Sequence, residues 1–563
     1  MRPRAWAWLA GAVVAALGAT TFVTPAQSMP VRAFGAPISI APPVVDVYGP
    51  SMAVLPDGTV GVAWTSTLNT VRMAIRRPGT NTFVTLTPLT LTDSIVTDGP
   101  SASWPVVTLR PAGSEFLLGW GESMGGSVRV RVARVAAAAT AVPAPATVSG
   151  GDSISSVPVA FGTATDGSAV AAWGIVSPFG FEIRAARRAG TSGAWQQLGD
   201  VGVTSLPFDL VAGIDSSRSV TVAWIQLSGA LIDVKVRSRR GDTWSPVLVA
   251  GSVTPSGLAA SRLVDVETSG TATALAFVDI VSGTSGYSVD AVARGIRVLH
   301  RPTPTSPWTM SGSLVGPGRY AASPSLAMTP GGGAVVRFLD LRDGTAPPWR
   351  TASTMLAQRT TLGGPWSAAR LVEAVSVDSS IDDITMARMD PVLAGDGTAV
   401  MLLPAPYAAG GGTVALGAST TWRTGWGTAF TEQPTLPARP YTQMTTGMVL
   451  DPAGRATLTY IDDTTFGLVA ATTALPKPFA RTRAALSSAS PRVGVAVTCK
   501  SAWTGAKTLA FRWLRGGSAI ARATSKTYVP KAADRDRGLS CRVTATNPTG
   551  STVTTSVART VGG

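Results

Sequence analysis

Little in this sequence can perform covalent or metal chemistry, and what there is lies far apart. Its 563 residues include one histidine, His300, and two cysteines, Cys499 and Cys541. A zinc site needs three or four protein ligands at defined spacing, so none built from Cys and His is expected. A Ser-His-Asp triad would have to use His300, which sits in VLHRP (298–302), inside an apolar strand pattern. No run of alternating acids matches a calcium loop, and the Asp-Gly pairs at 57, 166 and 396 read as hairpin turns. The glycine-rich AAGGGT (408–413) lacks the Lys-Ser/Thr that would make it a phosphate cradle. No catalytic residue, metal ligand or cofactor is therefore assigned. The two cysteines are most simply one disulfide of an exported protein.

Residues able to bind rather than react are commoner, and an internal repeat sets their order. A hairpin recurs in which an apolar strand, a Gly/Asp-rich turn and a second apolar strand end on a large residue, as in MAVLPDGTVGVAW (52–64) and VAFGTATDGSAVAAW (159–173). The closing residues are Trp64, Trp120, Trp173, Trp224, Phe277, Phe338, Leu403 and Tyr460, roughly 50 to 65 residues apart. A third strand follows each hairpin, then usually a fourth that opens on an aromatic, as FEIRAARR (181–188) is followed by Trp195. One twisted four-stranded sheet has two apolar faces and can bury neither alone; packed around an axis, such sheets bury both. The expected fold is all-β: an eight-bladed β-propeller over 31–478, or a seven-bladed one if the Leu403 unit is irregular. The last unit runs out before a fourth strand, whereas FGAPISIAPP (34–43) looks like an outer strand without a hairpin. That N-terminal segment is expected to complete the last blade and remove an open edge.

The two ends differ from the ring. Arg2 and Arg4 precede an apolar stretch that ends in small residues near Ala26 and Ser28, so residues 1–28 read as a secretory signal peptide. No later run is long and apolar enough to cross a bilayer as a helix. Secretion, to the extracellular space or the cell wall, is the expected localisation. From residue 481 onward there are 14 Lys or Arg against two acids, Asp534 and Asp536, so most of the net charge of +15 belongs to the C-terminus.

That C-terminal stretch, SPRVGVAVTCKSAW through CRVTATNPTG (490–550), carries Cys499, Trp513 and Cys541 in the order Cys, Trp, Cys. It resembles the immunoglobulin-like repeats of actinobacterial surface and secreted proteins, over about an eighth of the chain. The resemblance implies a β-sandwich over 484–563 whose Trp packs on an inter-sheet disulfide, used as a spacer or adhesion module. It departs from the family at one turn: the usual Asp-x-Gly before the second Cys is here Asp534-Arg535-Asp536, with Gly displaced to 538. The basic residues Arg512, Arg515, Arg522, Lys526, Lys531, Arg535, Arg537 and Arg542 suit either a polyanion surface such as a cell-wall polymer or a merely solvated one. Nucleic acid is not an expected partner, since no basic-aromatic platform accompanies them.

In the ring, the position two residues after each closing residue holds Ser66, Glu122, Ile175, Gln226, Asp279, Asp340, Ala405 and Asp462. Four of these are acids, which fits a carboxylate-lined channel mouth or strands turning polar as they reach water. Tyr48, Trp104, Arg262, Arg388 and Tyr441 precede or open the first strands and suit carbohydrate binding or packing between blades. The expected function is a secreted, non-enzymatic binding or scaffold protein whose partner is carbohydrate, cell-wall polyanion or protein. The alternative is a glycan-active hydrolase of the sialidase-like propeller kind. That would require Arg262, Arg319 and Arg388 to converge beside Tyr441 and Glu122, and the full Asp-box turn of such enzymes is lacking; only fragments such as Gly241-Asp242-Thr243-Trp244 occur.

Overall fold

The computed structural model describes residues 34–41, 48–67, 69–95, 107–124, 127–150, 159–177, 180–204, 209–229, 231–253, 264–284, 292–316, 320–343, 350–377, 391–393, 399–408, 414–423, 431–432, 447–462, 467–474, 477–547 and 549–563. Their regular structure is β-strand, apart from one 3-10 turn at Ala532–Asp534. The residues 1–28 read as a signal peptide lie outside them. No helix among the described residues is long and apolar enough to cross a membrane.

Two sequence patterns produce two kinds of strand. Leu231–Arg240 alternates, burying Ile232, Val234 and Val236 while Asp233, Lys235 and Arg237 stay partly exposed, the period-two signature of a strand with one wet face. Val220–Ser228 is buried through its first six residues, as a strand sandwiched between neighbours must be. The turns joining first to second strands use glycine in the left-handed region, Gly58 at φ +91° and Gly167 at φ +84°. There Asp57 and Asp166 carboxylates accept the backbone N–H of Thr59 and Ser168.

Each repeat folds into an antiparallel sheet in chain order. The Trp173 unit, for example, pairs Ala160–Thr163, Ala169–Ser177, Gly180–Arg188 and Trp195–Thr204 in sequence. The first strands stand next to one another in a circle. Tyr48–Val54 touches Thr108–Ala112, and contact passes through Ala160–Thr163, Leu210–Ile214, Val264–Ser269, Tyr320–Met328 and Val392–Leu393 to Gly447–Leu450. That last strand touches Tyr48–Val54 again. Sheets set face to face around such a ring form a β-propeller. The Tyr460 sheet takes its outer strand from the other end of the chain: Ile38 pairs with Ala470 and Ser39 with Val469, while Phe34 bridges to Thr473.

The closing aromatics hold the faces together. Trp173 is fully buried among Leu117, Val130, Val132 and Val148 of the preceding sheet, and Trp120 and Trp224 do the same one sheet earlier and one later. Trp64 packs on Ile40 and Ala41 of the N-terminal segment and on Ile461 and Leu468. Close approach requires glycine opposite these rings. A Cβ at Gly202 would lie 2.6 Å from Trp224, and one at Gly251 2.6 Å from Phe277.

Beyond the ring, the chain forms two facing sheets. Phe479–Leu486, Val497–Thr504 and Thr527–Tyr528 make one, while the other centres on Thr508–Arg515 and Gly538–Asn547. A Cys499–Cys541 disulfide joins the two sheets, and Trp513 lies buried beside it in one apolar cluster with Val497, Leu539 and Val543. The Trp513 ring stacks on Tyr528 at 5.4 Å, and its indole N–H donates to the Ser525 carbonyl at 2.9 Å. Asp536 adopts φ +58°; an aspartate tolerates this left-handed conformation, and it stands where the Asp-x-Gly pattern places glycine.

Candidate functional site

The register of the sheets decides what the acids at the second-strand ends can do. Opposite each of several closing aromatics stands a base on the third strand: Arg72 faces Trp64, Arg131 faces Trp120, Lys235 faces Trp224 and Arg297 faces Phe277. The diagonal neighbour of that base is the residue two places after the aromatic, within reach of a long side chain. Arg72 Nε donates to Ser66 Oγ at 2.7 Å, and Arg131 meets the Glu122 carboxylate at 2.8 Å. Lys235 Nζ donates to Gln226 Oε1 at 2.8 Å, and Arg297 meets Asp279 at 3.1 Å. Asp279 also accepts the Ser252 backbone N–H from the preceding sheet. Glu122, Asp279 and Asp340 are buried, and Asp462 is half-buried with its N–H donating to the Gly467 carbonyl. Burial pushes the Glu122 carboxyl up from its ordinary range, and Arg131 pulls it back.

The structure therefore gives these polar groups partners inside the ring. Of the other candidates, the backbone of Tyr48 opens the strand Tyr48–Val54. Trp104, Arg262, Arg319, Arg388 and Tyr441 lie outside the described residues. Among the described residues no group of three or more His, Cys, Asp or Glu side chains is placed to hold a metal ion.

At the opposite end of the sheets, where first strands turn into second ones, the ring opens into a cavity of about 620 Å³. Leu55, Ala164, Ala212 and Pro452 give it apolar walls, and Arg110 and Glu267 bring opposite charges to its lining. Asp451, also in the lining, is held by Arg455 at 2.9 Å and by Arg76 at 3.5 Å. The mouth expected from the sequence lies at the other end of the channel, and Arg110 and Glu267 on this rim were not among the residues it singled out. Each follows or ends an apolar run just before a hairpin turn, which is a weak signal.

A second arrangement recurs between sheets. Where the third strand ends, an arginine precedes an aromatic by seven residues: Arg76 and Phe83, Arg188 and Trp195, Arg301 and Trp308, Arg359 and Trp366. The Arg301 guanidinium lies 4.4 Å from the Trp308 ring centre, and that of Arg359 lies 4.9 Å from Trp366. These arginines are nearly or fully buried, and burial lowers Arg76 and Arg359 to about 10.

On the C-terminal unit the basic residues are exposed. Arg512, Arg522, Lys526, Lys531, Arg535, Arg537 and Arg542 all face solvent. Arg512 pairs directly across the strands with Arg542, on the face away from Trp513 and Cys541. Arg515 is instead tied to the buried Asp534, which also accepts from Tyr528 Oη at 2.8 Å and the Lys531 N–H at 2.6 Å. Burial pushes the Asp534 carboxyl up, but those three donors outweigh it and hold it below the usual carboxylate range.

No protein-family model matches the chain, and no curated protein matches it in sequence. Among solved structures it is similar to a polysaccharide lyase, an ulvan lyase, at 10% identity and TM-score 0.39, covering 79% of this chain and 96% of that one. It is also similar to the WD40 domain of SCAP from fission yeast, at 10% identity and TM-score 0.38, covering 77% and 97%. An α-L-arabinanase of Penicillium chrysogenum complexed with arabinobiose scores 0.33 at 10% identity, covering 57% and 93%. Scores this low carry no argument about ligand or reaction; the propeller rests on the strand pairings themselves.

Proposed function

We propose that this chain is an exported, non-enzymatic binding protein: an eight-bladed propeller serving as a ligand platform, followed by an immunoglobulin-like domain that engages a polyanionic surface. The circle of first strands supports the blade count. The strand Phe479–Leu486, paired with Val497–Thr504, supports starting the second domain near residue 479. A disulfide in a chain with a signal-like N-terminus supports export.

The observation that carries the surface-binding role is the pairing of Arg512 with Arg542. Like charges directly opposite each other in a sheet are destabilising, and here they sit exposed with no acid among their strand partners. A polymer bearing regularly spaced phosphates or carboxylates would relieve that repulsion. Binding is favoured over hydrolysis because Glu122, which the sialidase-like alternative needs as partner of a tyrosine nucleophile, is already bound to Arg131.

The test is retention of the full chain on polyanion-coated beads across a salt gradient, beside the Arg512→Gln/Arg542→Gln variant. The wild type is expected to elute at higher salt, with the variant eluting clearly earlier. Retention that ignores salt, or an unchanged elution point in the variant, rejects the assignment. A glycan array probed with the same chain asks which sugar, if any, the propeller takes.

A further inference from the structure

The recurring arginine at the end of the third strand reaches toward the preceding sheet, and most copies find acceptors. Arg76 donates to Asp451 at 3.5 Å and to Thr457 Oγ1 at 3.1 Å, both in the Tyr460 sheet. Arg301 donates to Thr221 Oγ1 at 3.1 Å in the Trp224 sheet, where Asp215 adds a favourable charge. Each acceptor threonine is backed by a cross-strand hydroxyl, Thr472 behind Thr457 and Ser238 behind Thr221. Arg239 reaches the Leu198 carbonyl of the preceding sheet at 2.7 Å, whereas Arg188 donates through Nη2 to the Gly167 carbonyl in the hairpin turn of its own sheet at 3.0 Å.

Arg359 differs. It occupies the same register, opposite the first residue of the second strand, as Arg76 does opposite Val60 and Arg239 opposite Val220. Yet Nε, Nη1 and Nη2 are all buried without a hydrogen-bond partner, and no carboxylate influences the group. Of Arg76, Arg188, Arg239, Arg301 and Arg359, it is the one in that condition. The cause lies in the preceding, Phe277 sheet, whose hairpin is shortened: Ser269 pairs with Ala272 across two residues. The turn aspartate therefore becomes Ser269, the acceptor threonine becomes Ala274, and the backing hydroxyl becomes His300, paired opposite Ala274. His300 is itself buried with Nδ1 unpartnered. Burial lowers its pKa, and the neighbouring Arg359 lowers it further.

A guanidinium fully removed from water with neither counter-charge nor acceptor is a costly arrangement. Here three acceptor positions have been vacated together on the surface it faces. We propose that the seam between the Phe277 and Phe338 sheets holds a chloride-sized inorganic anion, bound by Arg359 Nη1 and Nη2 and by His300 Nδ1–H. The anion replaces the carboxylate and hydroxyl that Asp451 and Thr457 give to Arg76. It is an integral part of that seam and owes nothing to the surface binding proposed above.

The test is thermal unfolding of the full chain at constant ionic strength, with sodium chloride exchanged for sodium gluconate. Anything that binds only the folded form raises its stability by mass action, so the propeller transition is expected to rise on the order of 2 to 4 °C over a hundredfold increase in chloride. Ser269→Asp with Ala274→Thr restores the missing acceptors and is expected to abolish that rise. A transition indifferent to chloride in the wild type, or an equal rise in the restored variant, overturns the proposal. Crystals grown in bromide give a direct readout: an anomalous peak against the Arg359 guanidinium supports the site, and its absence rejects it.

Discussion

The ring and the C-terminal sandwich hide a core of the same kind by opposite means. In the ring, no sheet is self-sufficient; Trp120, Trp173 and Trp224 each fill the gap to the sheet before, so stability comes from repetition. The sandwich is small, and a domain of its size buries a smaller fraction of its surface than a large ring does. It adds a covalent link across its sheets and a buried carboxylate with three donors. Large repeat bodies thus distribute their stability, whereas small ones concentrate it at a few points.

The sharpest way to break that contrast is Trp173→Ala, which removes one inter-sheet filler. It is expected to cost about 5 kcal/mol in the propeller transition and leave the sandwich transition unmoved, as read by differential scanning calorimetry of the full chain. Next comes Cys499→Ala. Opening a loop of sequence separation 42 is expected to cost the sandwich about 4 kcal/mol, with the propeller transition unchanged; reductant should reproduce the effect in the wild type. Smaller again is Asp534→Asn, expected to cost the sandwich about 3 kcal/mol by weakening hydrogen bonds to a charged acceptor. This carboxyl titrates lower folded than unfolded, so its contribution is complete above the unfolded value and drains away as pH falls through the folded one. The sandwich transition of the wild type should therefore fall in acid more steeply than that of the asparagine variant, and parallel acid curves would show that Asp534 does not concentrate stability there.

The propeller was legible because a sheet buried on both faces must repeat the same apolar period, the same turn chemistry and the same closing aromatic. The disulfide was legible because the chain has two cysteines, both in its C-terminal unit, and two leave one pairing. The candidate mouth was harder to read, because its acids depend on register. The sequence shows Glu122 two places after Trp120, but only the pairing of Trp120 with Arg131 puts a guanidinium diagonal to that carboxylate. The seven-residue step from Arg359 to Trp366 was equally visible; that Ala274 and His300 lie opposite each other at the corresponding place in the neighbouring sheet was not. Sequence reports what each strand brings, and register decides whom it meets.

The pairing of Ile38 and Ser39 with the strand Leu468–Thr472 sets a timetable for the molecule. The segment around Ile38 waits for a partner made more than four hundred residues later, so the circle cannot shut while any part of the ring is still being synthesised. Once made, and until Ile38 and Ser39 reach it, Leu468–Thr472 presents a bare edge that a second copy of the N-terminal segment could occupy. Assembly of this protein is therefore gated by the arrival of its last sheet, and crowded nascent chains are at risk of trading ends with one another.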